Sequence, residues 1–193
     1  MPKSEVFNRD YVLEKATEVF HSKGYNGTSM QDLVDATGLN RSSIYNSFEN
    51  KLNLYLECLS QYQKKANTLT SDALLNANDA FEAIESVFNL FLNEVVTDRD
   101  QKGCLIVNCK SEMANQDVTI RNFLNHNQNG TLYLFEDLVA KGQAQGRINK
   151  NQTAKQYALF LFSALQGLRM TGILLNDKTE LHCIVDNTLN VLK

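Results

Sequence analysis

A single proline in 193 residues, placed at position 2, is the feature that most narrows the fold. Proline inside a helix removes a hydrogen bond and clashes with the preceding turn. A chain without internal prolines can therefore run long helices unbroken. Glycine is also sparse, at nine residues, whereas a sandwich or barrel of short strands would need frequent turn signals. These two facts lead to the expectation of an all-α fold. At 43% hydrophobic residues the chain can build one large helical domain or two small ones.

Apolar spacing places the first elements. Val12, Ala16, Val19 and Phe20 fall at i, i+4, i+7 and i+8, which predicts an amphipathic helix over residues 8–22. Gly24 supplies a left-handed end. Thr28 with Gln31 three residues on reads as a capping box opening a second helix, with Met30, Leu33 and Val34 on one face. Gly38 permits a tight turn at positive φ, and Asn40 can cap a third helix. Two short helices joined by a glycine turn make a helix-turn-helix, although an ordinary helical hairpin carries the same pattern.

The third helix separates these readings. Ile44 and Phe48 define a buried side; at about 100° per residue, Ser42 and Asn46 point away from it, Ser43 and Tyr45 flank that outer face, and Arg41 sits at its edge. The face carries no acid. Small polar side chains let a helix seat deep in a major groove, where Arg can fork onto guanine and Asn onto adenine. Net charge is −3, and the first fifty residues are balanced. DNA binding must then rest on local placement rather than on a basic domain.

The stretches ATEVFHSKGYNGTSM and QDLVDATGLNRSSIYNSFENK resemble the DNA-binding motif of the TetR/AcrR family of bacterial transcriptional regulators. The glycine turn, the small polar tetrad, the Ile-Tyr pair, Phe48 and Lys51 all stand in family register, and the likeness covers roughly the first fifty-five residues. Ser42 departs from the Gly or Ala frequent there, which alters base preference rather than docking. The resemblance implies a three-helix helix-turn-helix DNA-binding domain over residues 1–50 and a larger helical effector-binding and dimerisation domain over residues 51–193. It makes residues 40–46 the recognition helix. The DNA-facing set is Thr28, Asn40, Arg41, Ser42, Ser43, Tyr45, Asn46 and Lys51, with Thr28, Tyr45 and Lys51 on phosphates. A homodimer would read a palindromic double-stranded operator as a repressor, released by a small-molecule or thiol-reactive effector.

Beyond Lys51 the helices lengthen. Leu52, Tyr55, Leu56, Leu59 and Tyr62 continue a fourth helix, and Phe81 through Val95 marks a strongly apolar one. Two last helices show apolar faces, Tyr157, Phe160, Leu161, Ala164, Leu165 and Leu168 on one and Leu181, Ile184, Val185, Thr188, Leu189 and Leu192 on the other. These could pair across a two-fold axis, with Ala164, Gly167 and Gly172 allowing close approach, or fill an intramolecular core. Candidate pocket residues are polar or aromatic groups within apolar helices: Tyr62, Phe88, Phe91, Cys104, Asn108, Phe123, His126, Tyr133, Gln166 and Met170. Cys104 lies at a predicted helix start near Lys102, a setting that suits either a reactive thiol or a small buried hydrophobe at the helix end. Some TetR-like regulators with a similar Gly-Cys-Leu segment sense electrophiles or oxidants through that cysteine.

Other functions find little footing. His21, His126 and His182 are scattered, no Gly-rich phosphate loop occurs, and the four cysteines form no C-x-x-C pair, so no enzyme, cofactor or metal site is expected. The start lacks a signal peptide's apolar run, and YALFLFSALQGL is too short to span a bilayer, so a cytoplasmic protein without membrane contact is expected. The alternative is a helical protein-interaction module that does not bind DNA.

Overall fold

The computed structural model describes residues 7–175 and 177–193, which form nine helices and no strand among the described residues. They are α1 (Arg9–Gly27), α2 (Met30–Thr37), α3 (Arg41–Phe48), α4 (Lys51–Leu75), α5 (Ala80–Thr97), α6 (Leu105–Met113), α7 (Val118–Ala144), α8 (Ala154–Thr171) and α9 (Lys178–Asn190). Eight of their starts are written locally. Asn8, Ser29, Asn40, Asn50, Asp79, Asp117, Thr153 and Asp177 each accept a backbone N–H of the helix they open, satisfying donors that would otherwise lack partners. Only α6 opens on a residue without such a bond, Cys104.

Two sequence expectations need correction here. The cap of α2 is Ser29, paired reciprocally with Asp32, not Thr28 with Gln31. Lys23 and the Ser29 amide hold the Asp32 carboxyl down at about 2, so it stays anionic in that role. Nor does α1 end near residue 22. Gly24 breaks the helix with φ 72° and ψ 173°, and the chain resumes a helical turn to Gly27. The break frees the N–H groups of Tyr25 and Asn26, and both donate to the Glu112 carboxylate of α6, at 2.9 and 2.7 Å.

The described residues hold two apolar cores. The first joins α1, α2 and α3 to the first half of α4 and to Leu105, Ile106, Val107, Met113, Ile120 and Leu124 of α6 and α7. The second joins α5, the latter half of α7, α8 and α9. The cavity described below lies where the two meet. In the second core the α9 stripe of Leu181, Val185, Leu189 and Leu192 is buried within its own chain, as are Tyr157, Leu161, Leu165 and Leu168 of α8. Phe160 turns the other way and is exposed. Gly172 also serves an internal contact, since a Cβ there would clash with Val95 Cγ1 of α5. Gly167 faces open space.

Candidate nucleic-acid interface and effector cavity

α3 is held by its inner side. Ile44 is fully buried and Phe48 nearly so, both in the first core. Arg9 lays its guanidinium over the Phe48 ring at 4.4 Å, donates to the Ser47 carbonyl and pairs with Glu57 of α4. The αL turn at Gly38 (φ 71°, ψ 3°) sets the angle between α2 and α3, a conformation that only glycine adopts at no steric cost.

The outer side is polar and wet. Arg41, Ser42, Tyr45 and Asn46 are exposed, and Ser43 is half-buried. Two of these residues have local work. The Asn40 side-chain oxygen accepts the Ser43 amide at 2.8 Å and the Ser42 hydroxyl at 2.7 Å. Asn40 and Ser42 therefore fix the helix start, while Arg41, Tyr45 and Asn46 keep their polar groups free of any such local bond. No carboxylate stands on the face, and Glu49 follows beyond its end.

Thr28 and Lys51 are placed differently from the expectation. Thr28 is buried, and its hydroxyl donates to the Gly24 carbonyl at 2.6 Å. Lys51 reaches inward: its ammonium donates to the carbonyls of Tyr25 and Thr28 at 2.8 and 2.7 Å and sits 4.2 Å over the Tyr25 ring. Burial pulls its pKa below the usual lysine value, against the opposing pull of Glu112. The two residues lock the end of α1 to the start of α4. Sequence spacing missed this because the partners lie 23 to 26 residues away.

The recognition unit is joined to the rest at two further points. Glu112 caps the segment after Gly24, as described above. The His21 ring nitrogen Nε2 donates to the Gly103 carbonyl at 2.8 Å. Burial lowers the His21 pKa, which favours the neutral ring. Gly103 precedes Cys104, so α1 rests directly on the loop that opens α6.

That loop also borders a partly open cavity of about 380 Å³ lined by α4, α5, α6, α7 and α8. Of the residues proposed from sequence, Tyr62, Phe91, Cys104, His126 and Gln166 line it. The others lie elsewhere. Phe88 stacks with Phe135 at 6.0 Å inside the second core. The Asn108 amide donates to the Lys102 carbonyl and pins the loop. Phe123 packs against the first core. Met170 and Tyr133 are exposed. Lys102 is paired with Asp100 at 2.8 Å and is not devoted to Cys104. Cys104 is buried, yet it lines both this cavity and a smaller one of about 240 Å³ that also meets His21 and Glu94. Arg169 went unnoticed in the sequence. It follows Phe162 and Leu165 at helical spacing on α8, and an arginine in that register is a legible signal of a charge turned inward.

Comparison with known proteins agrees with this geometry. Residues 12–58 match the family model described as "Bacterial regulatory proteins, tetR family", and residues 80–187 match "Tetracyclin repressor-like, C-terminal domain". The HTH-type transcriptional regulator YezE of Bacillus subtilis is 27% identical over 193 residues, covering 100% of both chains. The HTH-type transcriptional repressor ComR of Escherichia coli is 26% identical, covering 88% of this chain and 81% of its own. Among solved structures, a cysteine-substituted form of the TetR family regulator CifR, complexed with 26-base-pair operator DNA, superposes with a TM-score of 0.86 at 24% identity over the whole of both chains. The reduced form of Escherichia coli NemR gives 0.84 at 17% identity, covering 96% of each chain.

Proposed function

The chain belongs to the TetR family of bacterial regulatory proteins, a DNA-binding transcriptional regulator and not an enzyme, and from that premise we propose that it is a homodimeric repressor released from a palindromic operator by a small effector. The observation that carries the DNA reading is the acid-free outer face of α3, held outward by the burial of Ile44 and Phe48. Arg41 and Asn46 read base edges there, with Ser43 on the same face, and Tyr45 reaches a phosphate. Asn40 and Ser42 set the helix N-terminus that approaches the backbone. Thr28 and Lys51 contribute by fixing the position of α2, whose N-terminus points its free N–H groups at a phosphate.

Regulators of this family act as dimers. The remaining exposed side of α8 and α9 suits a second copy. Leu159, Phe160, Met170 and Leu174 on and just after α8, and Val191 after α9, are exposed apolar side chains, and Gly167 leaves room for close approach. Two recognition helices placed about 34–36 Å apart, or a multiple of that, then meet successive major grooves on one side of the duplex.

The effector enters the cavity beside α4 and α6 or reacts with the Cys104 thiol on its wall. Either event moves α6, to which α1 is tied through Glu112 and His21. A coupling of about 1–3 kcal/mol is enough to shift operator occupancy. The reading places the protein in the cytoplasm with its DNA; no helix among the described residues is long and apolar enough to cross a membrane.

The test is a gel-shift titration on the DNA upstream of the protein's own gene. Binding that weakens steeply with salt and is competed by the unlabelled site supports the reading. No binding at low salt overturns it. For the thiol route, mild peroxide or quinone treatment followed by mass spectrometry is compared between parent and Cys104→Ser; an unchanged response in the variant removes Cys104 from the mechanism.

A further inference from the structure

We propose that the cavity takes a small organic acid, an apolar body ending in a carboxylate, and that Arg169 is the carboxylate's anchor. The inference rests on the reading of this cavity as the effector site. Arg169 is the one side chain of fixed charge on the cavity wall, and no Asp or Glu lines it. The guanidinium lies 3.8 Å over the Phe91 ring. Its Nε is buried and has no hydrogen-bond partner among the described residues. A second cation stands just behind: the Lys110 ammonium lies 3.5 Å from the side-chain oxygen of Gln166, another wall residue, and 4.7 Å over the Phe162 ring. Among the described residues no ion pair includes Arg169 or Lys110.

Glu94 of α5 shares the smaller cavity with Arg169 but closes no ion pair with it. Burial raises the Glu94 pKa and the Arg169 charge lowers it, so the carboxyl feels the guanidinium across the smaller cavity without closing an ion pair with it. Burying a cation without a counter-ion is costly unless an anion completes it. The larger cavity thus presents the Arg169 guanidinium, with Lys110 behind the wall and no acid on its lining.

The planar guanidinium fork matches a carboxylate in a two-bond arrangement. The Tyr62 hydroxyl, also on the wall, adds a donor, and burial keeps it protonated by raising its pKa. Leu74, Val87, Leu134 and Leu165 line the cavity for an apolar body, between polar groups such as Asn67 and Thr131. The size of the cavity fits a compact ligand rather than a polymer.

Thermal-shift and calorimetric titrations on the full-length protein test the assignment, using octanoate, decanoate and phenylbutyrate, each beside its primary amide. The acids are expected to raise Tm with concentration and to bind about ten- to hundredfold more tightly than the amides, the size of a lost charged hydrogen bond. Arg169→Gln should bring each acid down to the level of its amide, and Arg169→Lys should retain part of the difference. Equal binding of acids and amides, no shift from any of the three acids at millimolar concentration, or acid binding unchanged in a folded Arg169→Gln protein overturns the proposal. If Arg169→Gln does not fold, the acid–amide comparison on the parent decides. Gel shifts on the same samples separate the two readings. Acid binding by a protein that ignores DNA sinks the regulator and leaves the anion site standing. Release from DNA by uncharged compounds, with the acids inert, sinks the anion site alone.

Discussion

The outer face of α3 and the inner end of the cavity are both polar patches on helices that otherwise bury apolar groups. Their surroundings are opposite. On α3, Arg41, Tyr45 and Asn46 stand in solvent, so water satisfies them until a duplex replaces it. Arg169 on the cavity wall and Lys110 behind it are partly removed from water and close no ion pair among the described residues. Exposed polar groups cost little to keep and give specificity only through geometry. Buried unpaired charges cost stability and discriminate strongly by charge. One surface is suited to reading many similar bases, the other to admitting one kind of molecule.

The largest effect that can break this comparison comes from removing the support behind α3. Phe48→Ala should lose about 3–5 kcal/mol of stability, read by denaturant unfolding, and with it all sequence-specific DNA binding. If DNA affinity survives in the folded fraction, the buried anchor does not orient the face. Next are the readers themselves. Arg41→Ala and Asn46→Ala should each lower operator affinity by about 1–3 kcal/mol and relax preference at one position per half-site. Their Tm should stay at the parent value, because exposed groups contribute little to folding.

A smaller effect tests the link between the two surfaces. Glu112→Ala leaves the N–H groups of Tyr25 and Asn26 without their acceptor and should cost about 1–2 kcal/mol in stability. It should also reduce the difference in DNA affinity with and without effector. An unchanged effector response in the folded variant would show that α6 signals through other contacts.

The smallest effect is a pH dependence at His21. Its folded-state pKa lies below the ordinary 6.5 because burial disfavours the charged ring. The unfolded chain therefore takes up the proton first, and stability is lost as pH falls from about 6.5 toward the depressed value. His21→Gln keeps a donor for the Gly103 carbonyl and should flatten that part of the stability–pH curve, measured by urea unfolding between neutral and mildly acid pH.

How much of this was legible in the chain depends on the range of the signal. The start of α3 was readable because a cap and its partner sit three residues apart, as Asn40 and Ser43 do. The Thr28 capping box was misplaced by one residue because Thr28 and Ser29 offer the same chemistry, and only burial of Thr28 distinguishes them. The apolar faces of α8 and α9 were visible, yet their partners were not. A stripe at helical spacing satisfies a neighbouring helix of the same chain as well as a second copy.

The sequence alone determined the all-helical fold, the turn at Gly38, the inward anchors Ile44 and Phe48, and the family register of the first helices. These follow from hydrogen bonds and side-chain periodicity within a few residues. Only the tertiary structure decided that Lys51 turns inward to the carbonyls of Tyr25 and Thr28, that Glu112 repairs the break at Gly24, and that Arg169 meets the cavity with no ion pair among the described residues. Each of these depends on which groups come together from distant parts of the chain, and a local pattern carries no record of a partner that lies 87 residues away, as Glu112 does from Tyr25.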